Sequence, residues 1–241
     1  MKWYNNFFAT PIIGIKFQKR AKDIPLIEKI VCEHCEDGEW ALSTAQGHKW
    51  VADNRDLAIH FEPGHVFVNR KYACKIEGKI GEMPKLIVPE PQSYETLVGE
   101  ITSRIQDLWQ TLCKYQEKLP GVMLIGLVLK VDMPLDAIPP GIASLIEYLN
   151  KPWPNGLEAF NGSFMTNILE ENEHVYRCHH NFQMQNSEAG HFLKMSLDYQ
   201  KSFTSPVELD SSRLQTHLSK LIISGQEYFN KLGKEGIGDG I

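Results

Sequence analysis

The chain has 241 residues, 42% hydrophobic and 23% charged, with a formal net charge of −5. It is long enough to bury a substantial core, and its composition is that of an ordinary globular protein. The acidic balance gives no overall attraction to a nucleic-acid backbone and leaves only a local basic cluster, Lys16, Lys19, Arg20 and Lys22.

The five cysteines are odd in number and lack framework spacing, which suits a reducing compartment. Asn5 and Asn6 interrupt any apolar leader near the start, so no signal peptide is expected. The longest apolar run, 121–129, falls far short of the roughly 20 residues a membrane span needs. A cytoplasmic protein is expected.

In chain order, Pro11–Lys19 reads as a first strand, with Ile13, Ile15 and Phe17 on one face. Asp23–Cys35 has helical spacing through Ile24, Ile27, Ile30 and Val31. Trp40–Ser43 and Lys49–Val51 are short strand candidates. Leu57–Phe61 alternates, turns at Pro63-Gly64 and returns through His65–Lys71 as a hairpin. Residues 78–91 hold several prolines and glycines and read as a surface connection. Ser93 caps a long helix to about Gln116, with a stripe from Tyr94 through Leu112.

Val122–Val131 is apolar on both faces and reads as a central strand covered on both sides or held at a subunit contact. Gly141–Leu149 is a short helix. Ala159–Leu169 and His174–Gln185 pair as a hairpin, and a turn at 186–190 leads to a strand over His191–Tyr199. A polar loop follows. A last helix starts at the cap Asp210, carries an apolar stripe of Leu214, Leu218, Leu221, Ile222, Tyr228, Phe229 and Leu232, and stops at Gly233 as its C-terminal cap.

A hairpin followed by a long helix thus occurs twice. The expectation is an α+β fold in two halves, each an antiparallel sheet backed by one long helix. The halves are 1–120 and 121–233, packed as a single compact unit, with 234–241 a disordered tail.

Candidate chemistry is sparse. Cys32-Glu33-His34-Cys35 has the spacing of half a zinc site, and Cys178-His179-His180 is the only other dense group of ligand types. As a redox pair Cys32 and Cys35 are poor, because Glu33, Glu36 and Asp37 would raise the thiol pKa values. Two cysteines at a helix end with no metal are the plain alternative. His60 and His65 flank the hairpin turn with Glu62 between them, a set that suits metal binding, acid–base work or mere surface decoration. Phosphate loops, dinucleotide fingerprints, nucleophile elbows and H-E-x-x-H motifs are all lacking from the sequence.

The other pattern is a recognition surface. His179, Asn181 and Gln183 share one strand face, and Lys194, Ser196 and Asp198 share a face of the next strand. Trp153, between two prolines, is a candidate contact residue. The expected partner-binding set is His179, Asn181, Gln183, Lys194, Asp198 and Trp153. The metal candidates are Cys32 and Cys35, and no catalytic residue and no cofactor are expected.

The layout resembles a sporadically distributed family of uncharacterised bacterial proteins of about 250 residues. The resemblance is carried by Pro11-Ile12-Ile13 at a first strand, SYETLVGEITSRIQDLW before GVMLIGLVLKVDMPL, and a closing Asp-bearing strand and helix, LKMSLDYQKSF to YFNKL. Gly126-Leu127-Val128-Leu129-Lys130 stands where the family carries a "GLRYIN"-type strand. The family has no assigned catalytic residues, so it implies none here. Its patchy distribution implies a setting such as bacterial antiviral defence.

These observations favour a non-enzymatic protein-binding accessory or regulatory protein. One alternative is a metal-dependent hydrolase or nuclease using His60, His65, Cys178, His179 and His180. Another is a nucleic-acid-binding sheet.

Overall fold

The computed structural model describes residues 2–18, 41–45, 49–53, 56–62, 64–71, 75–77, 85–87, 92–115, 121–150, 160–171, 174–187 and 190–235. The expected helix over Asp23–Cys35 with Cys32 and Cys35, the loop with Trp153, and the tail after Glu235 lie outside them.

The fold is α+β. Nine antiparallel strands form one sheet: β1 (Ala9–Phe17), β2 (Ala41–Ala45), β3 (Lys49–Asp53), β4 (Leu57–Glu62), β5 (His65–Arg70), β8 (Gly121–Pro134), β9 (Phe160–Glu171), β10 (His174–Ser187) and β11 (Gly190–Glu208). Their order is β2-β3-β4-β5-β1-β8-β11-β10-β9. β6 (Lys75–Glu77), just before the stretch read as a plain connection, pairs with β7 (Lys85–Ile87), inside it, as a separate ribbon. The hairpin β4–β5 turns with Gly64 at φ 85°, a left-handed backbone that glycine adopts without a Cβ penalty.

Helices α1 (Tyr94–Tyr115) and α3 (Ser211–Glu235) lie on the same face of the sheet. Their stripes bury Leu97, Ile101, Ile105 and Trp109 in one and Leu214, Leu218, Leu221 and Phe229 in the other. Below them Ile13, Leu127, Tyr199 and Cys178 form one continuous buried row across four strands. Each fully buried large apolar side chain contributes about 1.5–3 kcal/mol. Helix α2 (Pro140–Asn150) packs against α3.

The caps form as expected. Arg213 N–H donates to Asp210 Oδ1 at 2.8 Å, and Thr96 N–H to Ser93 Oγ at 3.2 Å. The residues before β1 tie the two long helices together. Tyr94 N–H donates to Asn5 Oδ1 at 2.9 Å at the start of α1, and Trp3 Nε1 donates to the Phe229 carbonyl at 2.8 Å near the end of α3.

Two local expectations are corrected and a third is borne out in part. The polar stretch after Tyr199 is strand, because β11 continues to Glu208; it absorbs an irregularity between Ser202 and Val207, where Pro206 sits. Gly233 is not a terminal cap. Helix α3 runs on to Glu235, and buried Gly233 gives the Trp3 indole its seat. Strand β8 is central, between β1 and β11, but among the described residues helices cover only its Ile125–Leu127–Leu129–Val131 face.

Candidate functional site

The uncovered face is built by strand alternation. Residues pointing away from α1 and α3 include Ile12, Gly14 and Lys16 on β1, His65 and Phe67 on β5, and Leu124, Gly126 and Val128 on β8. They are joined by Asp198 and Gln200 on β11. Gly14 and Gly126 are direct cross-strand partners on the two central strands. Two facing residues without Cβ atoms leave a hole in the side-chain layer. The result is a pit of about 410 Å³ lined by those ten residues. That volume is in the range of ligand pockets, roughly 300–1,000 Å³. An apolar recess beside Trp109, Phe17 and Leu112 offers only about 20 Å³, room for a single water.

The two glycines are needed for shape. A Cβ on Gly14 would come within 3.2 Å of His65 Nε2, and one on Gly126 within 3.3 Å of Asp198 Oδ1. His65 and Asp198 therefore lean over the floor from opposite walls. On the β5 side Phe67 stacks on His60, centroids 4.3 Å apart and planes 7° from parallel, and tilts against His65 at 5.1 Å. His60 is itself held by Asn69 through a 2.9 Å hydrogen bond between Nε2 and Oδ1. On the β11 side Gln200 Nε2 donates to Asp198 Oδ2 at 2.6 Å.

Electrostatics follow from partial burial. Desolvation raises the Asp198 pKa, opposed by its bond from Gln200 and by His179 and His65 nearby. Desolvation lowers that of His65, with Glu62 opposing and Lys16 reinforcing. Both shifts favour neutral side chains, because desolvation outweighs the opposite charges nearby.

From the pit a row of in-register residues, Val128, Asp198, His179 and Met165, runs to the edge strand β9. His179, Asn181, Gln183, Lys194 and Asp198 all lie on this open face. His179 is opposite Asp198 and Gln183 opposite Lys194. Met165 and Leu169 on β9 are half exposed, at 51% and 50%. The sequence pattern singles out His65 only beside His60 and Glu62 and Lys16 only in a basic cluster, and it misses Phe67, Gln200 and the glycine pair. The available signal was a lone glycine within each of two central strands.

The histidine and cysteine set does not converge. Cys178 and His180 are buried on the helix side, whereas His179 faces the open side as its strand neighbour. His60 on β4 and His179 on β10 are separated by β5, β1, β8 and β11, five strand spacings or about 24 Å. No group of three or more His, Cys, Asp or Glu suited to a metal occurs among the described residues. Burial pushes the Cys178 thiol far up, which removes it as a nucleophile. His180 is a core histidine. Its Nε2 meets Tyr228 Oη at 2.9 Å and Thr166 Oγ1 at 3.1 Å, and its ring stacks on Phe164.

No family model and no curated protein matches the chain. Among solved structures it aligns with one described as the structure of crystal form I of TP0453. The identity is 7% over 89% of this chain and 94% of that one, with a TM-score of 0.17. A superposition that loose carries no argument about fold or function. No helix among the described residues is long and apolar enough to cross a membrane.

Proposed function

We propose that this chain is a non-enzymatic protein-binding component, accessory or regulatory in role, that docks a partner protein on the open face of its sheet. The observation that carries this is the glycine-floored pit at the centre of a face that no described element covers. A second support is the mixed row leading from it through Asp198 and His179 to exposed Met165 at the edge. A protein side chain fits the pit, while the polar strand faces around it suit a rim that stays hydrated when unbound.

The non-enzymatic part rests on side-chain placement. His65 and Asp198 face each other across the floor, but among the described residues neither is hydrogen-bonded to a hydroxyl or thiol that it would activate. The cytoplasmic setting and the link to bacterial defence come from the cysteine usage and the family resemblance. The two-half architecture belongs to the same reading. Helix α1 packs on β1 and β5, α3 packs on β8 and β11, and pairing of β1 with β8 fuses the two into one platform.

The test is co-purification from the native host with wild-type protein and Gly126→Leu, which fills the pit from its floor. Stoichiometric recovery of one protein by the wild type and its loss with the folded variant is the expected result. Recovery of the chain alone, or equal recovery by both, overturns the proposal.

A further inference from the structure

The pit is chemically asymmetric, and this selects among side chains. Asp198 is partly buried, and one carboxylate oxygen, Oδ2, is taken by Gln200. The other, Oδ1, leans over Gly126 at the floor. No salt bridge to Asp198 occurs among the described residues; the charged groups acting on it are His179 and His65. A carboxylate held out of water with one free oxygen is a site for a cation or a strong hydrogen-bond donor.

The other wall sets the shape. Phe67 is fixed by its stack on His60, which Asn69 anchors. Ile12, Leu124 and Val128 add apolar lining, and Lys16 and His65 complete it. The slot between an aromatic wall and a carboxylate, over a floor with no Cβ atoms, admits a flat group. The nearest fixed positive charge on the lining is Lys16, which sits beside His65 and is exposed to solvent. A compact ammonium would meet Asp198 but leave the apolar slot unfilled. A planar guanidinium meets the carboxylate through its N–H fork and lays its apolar faces along the slot.

We infer that the Gly14–Gly126 pit receives an arginine side chain of the partner protein, with Asp198 accepting from the guanidinium and Phe67 flanking it. This rests on the docking reading above, narrowing it to one anchor residue.

The probe is N-acetyl-arginine-amide, whose only charge is the guanidinium, titrated into ¹⁵N-labelled full-length protein. The backbone amides of Gly14, Gly126, Phe67 and Gln200 should shift together and saturate, with a dissociation constant on the order of 1–10 mM. N-acetyl-lysine-amide should bind several-fold more weakly, and N-acetyl-glutamate-amide should leave these amides unmoved. Asp198→Asn is isosteric and keeps an oxygen for Gln200. It should weaken the arginine probe by tenfold or more while the thermal midpoint stays close to wild type. If Asp198→Asn fails to fold, Gly126→Leu gives the same comparison by steric blockade. Absence of saturation up to about 50 mM probe, equal affinity of wild type and Asp198→Asn, or preference for the glutamate probe overturns the inference.

The two proposals fail separately. If Gly126→Leu loses the partner but Asp198→Asn keeps it at wild-type affinity, docking stands and the arginine anchor falls. If the arginine probe binds as expected but Gly126→Leu retains the partner, docking on this face falls.

Discussion

Replacing Gly233 by alanine should destabilise the protein, against the intrinsic preference of the helix. Gly233 lies inside α3, where alanine is normally favoured over glycine by about 1 kcal/mol. Here a Cβ would land on the Trp3 indole, whose Nε1 donates at 2.8 Å to the Phe229 carbonyl. Trp3 is held by packing edge-on against Tyr4 at 5.4 Å, so the ring cannot slide without disturbing the turn that links α3 to the start of α1. Overpacking of this kind costs about 1–3 kcal/mol. Loss of the buried indole hydrogen bond adds about 1–3 kcal/mol. After subtracting the helix gain, a net loss of about 1–5 kcal/mol is expected.

For a chain of this length that corresponds to a fall in melting temperature of about 2–20 °C. Urea denaturation of wild type and Gly233→Ala measures it. Gly99→Ala in α1 is the control. Nothing lies within 4 Å of its added Cβ, so it should gain roughly 0.5–1 kcal/mol from propensity alone. A double variant closes the argument: in a Trp3→Ala background, Gly233→Ala should cost nothing. If Gly233→Ala matches Gly99→Ala in sign, or its cost persists without the indole, the packing explanation is refuted.

Acid should destabilise the fold through His180, which burial pushes down to about 4 from 6.5. Because the folded value lies below the unfolded one, its contribution is intact above 6.5 and is lost as pH falls from there towards 4. The loss is on the order of 3 kcal/mol. Urea unfolding between neutral pH and the lower end of that window should show a smaller drop for His180→Gln than for wild type, and equal drops would count against the assignment. Asp210→Ala removes the N-terminal cap of α3 and should cost about 1 kcal/mol, read from the denaturation midpoint; an unchanged midpoint would mean that the 2.8 Å bond is not formed in solution. Gly126→Ala adds a methyl group at the edge of the open pit. Asp198 Oδ1 need give only a few tenths of an ångström, so stability should change by less than about 1 kcal/mol. A loss above about 3 kcal/mol would mean that the floor is packed against something.

Much of the fold was legible from periodicity. The stripes of α1 and α3, their Ser93 and Asp210 caps, and the alternation of β10 and β11 follow from spacing and side-chain chemistry local to each segment. The polar face carrying His179, Asn181, Gln183, Lys194 and Asp198 was legible for the same reason. Alternation assigns residues to faces, and a polar face opposite an apolar one must point away from the core. The His/Cys set misled because Cys178, His179 and His180 are adjacent in sequence but divided between opposite faces of one strand.

What the sequence by itself determined is therefore which residues share a face within each element. What only the tertiary structure decided is which faces meet. Gly14 and Gly126 lie more than a hundred positions apart, and neither marks a site alone. Pairing of β1 with β8 sets them opposite each other, and β5 and β11 then bring His65 and Asp198 over the gap. Gly233 reads as a helix stop until Trp3, brought from the other end of the chain, occupies the space its missing Cβ leaves. Local patterns encode periodicity and capping. Strand register and close packing join distant positions, and no short window of sequence carries that information.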